Sequence, residues 1–145
     1  MRIKKNKKTN RGFTLIELLV VIVIIGLLTG ILLVNYNSVR QRGRDAKRKS
    51  DLQQVASALE IYKADEGSYP ATGSLSWGES FTGGDGTIYM SKLPEDPLST
   101  RVYYYNSDGT TFTLEACLEN VADSDGAAVA SCTDFGGIGY TVTSP

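Results

Sequence analysis

The chain has 145 residues, 41% hydrophobic and 21% charged, with a formal net charge of −1. That composition fits one small domain and excludes collagen-like, fully disordered and multi-span membrane chains. The absence of histidine, with only two cysteines, excludes His-based triads, His metal sites, a Cys₄ zinc centre and a multi-disulfide scaffold.

Charge is segregated along the chain. Residues 1–12 carry Arg2, Lys4, Lys5, Lys7, Lys8 and Arg11 and no acid, whereas from Lys63 onward three basic residues face twelve carboxylates. A distal half this acidic repels phosphates, so nucleic acid is not an expected partner. A basic end ahead of an apolar run instead predicts a basic segment kept on the cytoplasmic side of a membrane.

Residues 13–34 form that run, FTLIELLVVIVIIGLLTGILLV. As a helix it spans roughly 33 Å, enough for a hydrocarbon core of about 30 Å. It has no polar face, as a soluble core helix would have, and no small-residue cleavage site follows it, as after a secretory signal. The pattern predicts a single membrane span, with residues 35–145 on the far side. Glu17 is the one charge in the run, and a carboxylate in hydrocarbon calls for a partner. Six basic residues at 40–49 stand beyond the span. They are expected to stay solvated near anionic head groups.

Helical spacing continues over 35–66, where Leu52, Val55, Leu59 and Tyr62 make one apolar stripe. Gly67 and Pro70 end it. With no proline from 13 to 67, one helix of about 54 residues is expected, weakest at Gly43. A loop is read over 68–86, and strands over 102–105, 110–118 and 138–143, with a turn at Asn106-Ser107-Asp108-Gly109. The resulting fold class is α+β, a long N-terminal helix packed by its second half on a small antiparallel sheet. By alternation, Cys117 falls on the opposite sheet face from Phe112 and Leu114.

The junction Arg11-Gly12-Phe13-Thr14-Leu15-Ile16-Glu17, preceded by a basic leader and followed by the apolar helix, resembles the type IV pilin superfamily, which includes type II secretion pseudopilins. Arg44-Asp45-Ala46-Lys47-Arg48, Tyr62, Gly67-Ser68-Tyr69-Pro70 and Leu93-Pro94-x-Asp96-Pro97 are most similar to the major pseudopilin branch. The resemblance implies a leader, 1–12, cut by a prepilin peptidase between Gly12 and Phe13, and N-methylation of Phe13. It implies an assembly helix at 13–34 and an exported pilin-like domain at 35–145. It further implies a homo-oligomeric helical filament, in which Glu17 meets the Phe13 amine of a neighbouring copy. The partners implied are an inner-membrane assembly platform and minor pilins or pseudopilins. The subunit is expected to be a single-pass inner-membrane protein before assembly, and an exported filament in the periplasm or at the cell surface afterwards. Where many members carry proline, this chain has Val34; Gly26 and Gly30 remain as flexible points.

Cys117 and Cys132 resemble the C-terminal disulfide loop of type IV pilins, and one disulfide is the simplest use of two cysteines in an exported domain. Major pseudopilins commonly bind calcium in this region. Asp123, Asp125 and Asp134 are the candidate ligands, though they do not reproduce the family's ligand pattern, and a solvated acidic turn is the plainer reading. No cofactor is otherwise expected, and no catalytic constellation is seen. Tyr103, Tyr104, Tyr105, Trp77 and Tyr89 are read as packing rather than as a ligand platform. Two uses stay open, an extended type IV pilus or the short pseudopilus of a secretion machine. The alternative from another class is a signal-anchored exported enzyme or receptor.

Overall fold

The computed structural model describes residues 12–145, apart from the side chains of 31–35. The leader charges therefore lie outside the described residues. The chain divides into two compact units, Met1–Asn37 and Ser38–Pro145.

Helix α1 runs Leu15–Glu66, 52 residues without interruption at Gly26, Gly30 or Gly43. In the first unit its described aliphatic side chains are exposed. From Phe13 to Leu28 the large hydrophobic residues are 47–87% exposed. Among the described residues no helix is long and apolar enough to cross a membrane. The run expected to span includes 31–34, whose side chains lie outside the described set.

In the second unit α1 buries the stripe read from its spacing. Leu52, Val55 and Leu59 are fully buried, with Ala58 beside them and Tyr62 at the edge. The helix ends at Gly67, whose φ of +79° is reached cheaply only without a Cβ. The next residue but one, Tyr69, folds back. Its ring meets Phe112 edge-on at 4.8 Å and its hydroxyl donates to Glu60 Oε1 at 2.7 Å.

Six strands follow: β1 (Phe81–Thr82), β2 (Ile88–Met90), β3 (Tyr104–Ser107), β4 (Phe112–Cys117), β5 (Ala127–Ala128) and β6 (Ile138–Thr143). A 3₁₀ helix, Ala130–Phe135, lies between the last two. β1 and β2 form a small antiparallel hairpin; the others form an antiparallel sheet in the order β3-β4-β6-β5. The core sandwiches the α1 stripe against Phe112, Leu114 and Ala116 of β4, with Phe81, Leu93 and Tyr103 closing its margins. Cys117, on the other face of β4, joins a separate cluster with Val129 and Cys132.

Several sequence expectations shift, among them β2, which was not expected, and the strand expected at 110–118, which runs 112–117. The strand expected at 102–105 runs 104–107, because the reversing loop starts at Asp108. There the carboxylate accepts the backbone N–H groups of Thr110 and Thr111. The segment read as loop contains β1, held by aromatic stacking of Phe81 on Tyr62 at 5.1 Å. β5 was not expected either; two exposed alanines carry no period-2 signal.

Candidate functional site

At the start of the chain, Gly12 and Phe13 precede the helix in irregular backbone and are exposed, Phe13 by 87%. A Cβ on Gly12 would meet nothing within 4 Å. Among the described residues, nothing crowds Gly12 at this peptide. Thr14 and Glu17 make a reciprocal cap. The Thr14 N–H and hydroxyl donate to Glu17 Oε2 at 2.8 and 2.7 Å, and the Glu17 N–H donates to Thr14 Oγ1 at 3.3 Å. This capping box satisfies helix-end donors that no earlier turn can satisfy. Its signature, Thr-x-x-Glu, stands in the sequence. Glu17 therefore has a structural duty within its own chain beside any duty toward a neighbour.

The second constellation lies in the globular unit and was not expected from the sequence. Arg48, one of the basic residues expected to be solvated, is fully buried. Its guanidinium makes four hydrogen bonds. Nε and NH2 donate to the two oxygens of Asp96 at 2.6 and 2.8 Å, and NH1 donates to Asp45 Oδ1 at 2.7 Å and Glu119 Oε1 at 2.8 Å. Arg44, one turn earlier, forks onto both oxygens of Glu119. Asp45 in turn accepts the backbone N–H groups of Glu119 and Asn120. Next to it, Lys47 pairs with Asp51 at 2.7 Å, and the Tyr103 hydroxyl donates to the same Asp51 oxygen at 2.8 Å. Lys49 reaches Asp123 and Asp125.

The reason for burial is charge balance. Positions 44, 45 and 48 share one helix face, and the segments arriving at 96 and 119 supply the carboxylates that pair with its two guanidinium groups. Burial alone would lower the Arg48 guanidinium; the carboxylates of Asp96, Glu119 and Asp45 outweigh it and hold the group above its ordinary value. The fork from Arg44, followed by Arg48, pushes the Glu119 carboxyl down from 4.5 to about 2. Arg101 stands nearby, donating to the Cys117 carbonyl at 2.9 Å with its guanidinium 4.6 Å from the Phe135 ring centroid. Burial and the Arg48 charge lower it. No buried side-chain polar atom among the described residues lacks a partner.

This network explains the sequence motifs. The stretch Arg44–Arg48 and the Asp96 of Leu93-Pro94-x-Asp96-Pro97 are one bidentate clasp across 48 positions of sequence. Asp96 also accepts the Leu98 N–H at 2.8 Å, which fixes the backbone after Pro97. The arrangement binds distant segments of the chain together.

Cys117 and Cys132 are joined as a disulfide between β4 and the 3₁₀ helix. Asp123 and Asp125 lie together beneath Lys49, whereas Asp134 is exposed in the 3₁₀ helix. No group of three acidic, His or Cys side chains among the described residues is placed to hold a metal ion. The aromatic residues pack on one another, Trp77 edge-on to Tyr103 at 5.4 Å and Tyr89 on Tyr62 at 5.1 Å.

Comparison with known proteins follows the same division of the chain. Residues 7–33 match the prokaryotic N-terminal methylation motif, and residues 35–127 match the family of type II secretion system (T2SS) protein G. The match stops at β5, so Cys132 and β6 lie beyond it. Among curated relatives, the type II secretion system core protein G of Pseudomonas aeruginosa is 34% identical over 114 residues, 72% of this chain and 78% of that protein. The protein of the same name from Vibrio cholerae is 30% identical over 118 residues, covering 77% and 80%. That of Klebsiella michiganensis is 34% identical over 101 residues, covering 63% and 70%. No solved structure matches significantly.

Proposed function

This chain belongs to the type II secretion system protein G family and is a filament-forming structural subunit, and we propose that its filament is the short pseudopilus of a secretion machine. The observation that carries the reading is one chain joining the Gly12-Phe13 start to a globular unit matching protein G over residues 35–127. The Arg48–Asp96 clasp supports it, because it ties together two motif segments of the pseudopilin branch.

In this reading a prepilin peptidase cuts the exposed Gly12–Phe13 peptide and methylates the Phe13 amine. The cut removes the basic leader and leaves α1 attached. The uncovered aliphatic surface of residues 13–28 then needs apolar cover. The bilayer of the inner membrane supplies it first, with the leader cytoplasmic and residues 35–145 exported. Neighbouring copies supply it after extraction by the assembly platform. The Phe13 amine keeps its positive charge when methylated and pairs with Glu17 of a neighbour in a filament core where water is excluded. The subunit performs no chemistry of its own; it is a building block that other components process, push and cap.

One observation favours an extended type IV pilus instead, the Cys117–Cys132 disulfide. Deleting the gene in its own host separates the two. A pseudopilin deletion abolishes release of secreted enzymes and leaves surface pili intact. Loss of pili or of twitching motility with normal secretion refutes the pseudopilus reading. Mass spectrometry of assembled material is expected to find a chain beginning at methylated Phe13; intact residues 1–12 in filaments refute the processing step.

A further inference from the structure

The turn from 119 to 126 brings three carboxylates, Glu119, Asp123 and Asp125, onto basic residues of α1. Glu119 belongs to the Arg48 clasp. Asp123 and Asp125 do not, and both are taken by a single ammonium. Lys49 Nζ donates to Asp123 Oδ1 and, at 2.8 Å, to Asp125 Oδ2. The same Asp123 oxygen accepts the Asp125 N–H at 3.0 Å. Lys49 is only 20% exposed, and its ammonium lies 5.7 Å from the ring centroid of Tyr140 on β6. The Lys49 ammonium is above its ordinary value because the carboxylates outweigh burial, and the Asp123 carboxyl is held below its own.

The resemblance to major pseudopilins implies calcium in this region, and the donor set does not fit it. Calcium needs six to eight oxygen ligands. Here two of the candidate carboxylates already touch a fixed positive charge, which repels a dication at the same place. The third candidate, Asp134, is exposed in the 3₁₀ helix and joins no acidic group with them. We infer that the ammonium of Lys49 is the resident cation of the 119–126 turn, a covalently attached charge that closes the turn without a metal.

The placement accounts for how the whole turn is fastened. Asp45 and Lys49 are four residues apart, on one face of α1. Asp45 holds the start of the turn by the N–H groups of Glu119 and Asn120, and Lys49 holds its end by Asp123 and Asp125. Gly126 closes against Ile138, where an added Cβ would come within 2.6 Å of the Ile138 Cγ2 atom. The turn is therefore set by charges on the helix, and its closure responds to the lysine rather than to a chelator.

The test uses the full chain in detergent micelles, as wild type, Lys49→Met, Lys49→Arg and Asp123→Asn. Hydrogen exchange of 119–126 and thermal melting are read with excess EDTA and with millimolar calcium chloride. The wild type is expected to show the same exchange and the same melting in both. Lys49→Met is expected to exchange about tenfold faster over 119–126, the loss that follows from removing charge-assisted hydrogen bonds, and Lys49→Arg to stay near wild type. Unchanged protection in β4 and β6 identifies the Lys49→Met effect as local. Unaltered exchange over 119–126 in Lys49→Met overturns the inference. So does calcium slowing wild-type exchange there, with the effect lost in Asp123→Asn, which would mark the turn as a metal site.

Discussion

Replacing Arg48 by methionine keeps an apolar stem and removes the charge and the fork. The guanidinium is fully buried and makes four hydrogen bonds to three carboxylates. Those four bonds do not add. Glu119 keeps Arg44, and Asp45 keeps the N–H groups of Glu119 and Asn120. Asp96 is the residue stranded, with only the Leu98 N–H left. The expected cost is that of leaving one buried charge without its ion partner, about 3–5 kcal/mol. For a unit the size of Ser38–Pro145, an unfolding entropy near 2.1 cal/mol/K per residue turns this into a fall in Tm of roughly 13–22 °C. Circular dichroism melts of the full chain in micelles measure it. Arg48→Lys should fall between, since an ammonium restores the charge without the bidentate geometry. Adding Asp96→Asn to Arg48→Met should recover part of the loss by removing the stranded charge. An Arg48→Met protein melting within a few degrees of wild type would refute the reasoning, as would no recovery in the double variant.

Acid should loosen the same clasp. The Glu119 carboxyl is depressed from 4.5 to about 2 and its side chain is only 9% exposed. Its contribution, about 3 kcal/mol, is therefore present above pH 4.5 and lost as pH falls toward 2; Glu119→Gln should flatten that limb of a stability–pH curve measured by urea unfolding. Substituting Cys117 and Cys132 together by serine should cost about 3 kcal/mol by loop-closure entropy, and alkylation of native exported protein without reductant should find no free thiol. Glu17→Gln should leave the globular unit's melting unchanged while filament yield drops; normal filaments from that variant would contradict the pairing with Phe13. Deleting residues 1–34 should leave a soluble, folded fragment that does not polymerise, checked by gel filtration and circular dichroism; an aggregated fragment would refute the packing of the Leu52–Leu59 stripe as a self-sufficient core.

What the sequence determined by itself is what short-range periodicity and local chemistry encode. The α1 stripe repeats every three or four residues, and the buried face is the one that spacing names. Gly67 ends the helix, and alternation along 112–117 places Cys117 away from Phe112 and Leu114. The Thr14-x-x-Glu17 cap is encoded just as locally, although the expectation for Glu17 was a neighbouring copy's amine rather than its own helix end. Tertiary structure alone decided the fate of the basic residues at 44–49. On a sequence they read as a solvated, lipid-facing cluster, because a charge exposed to water and a charge paired with a distant carboxylate carry the same letter. Asp45 and Asp51 stand within four positions, but the other partners, Asp96, Glu119, Asp123 and Asp125, stand 48 to 76 positions away. Only the return of those segments to one helix face makes burial of Arg48 cheaper than its solvation, since the cost of desolvating an ion is offset by partners that have no local pattern to announce them.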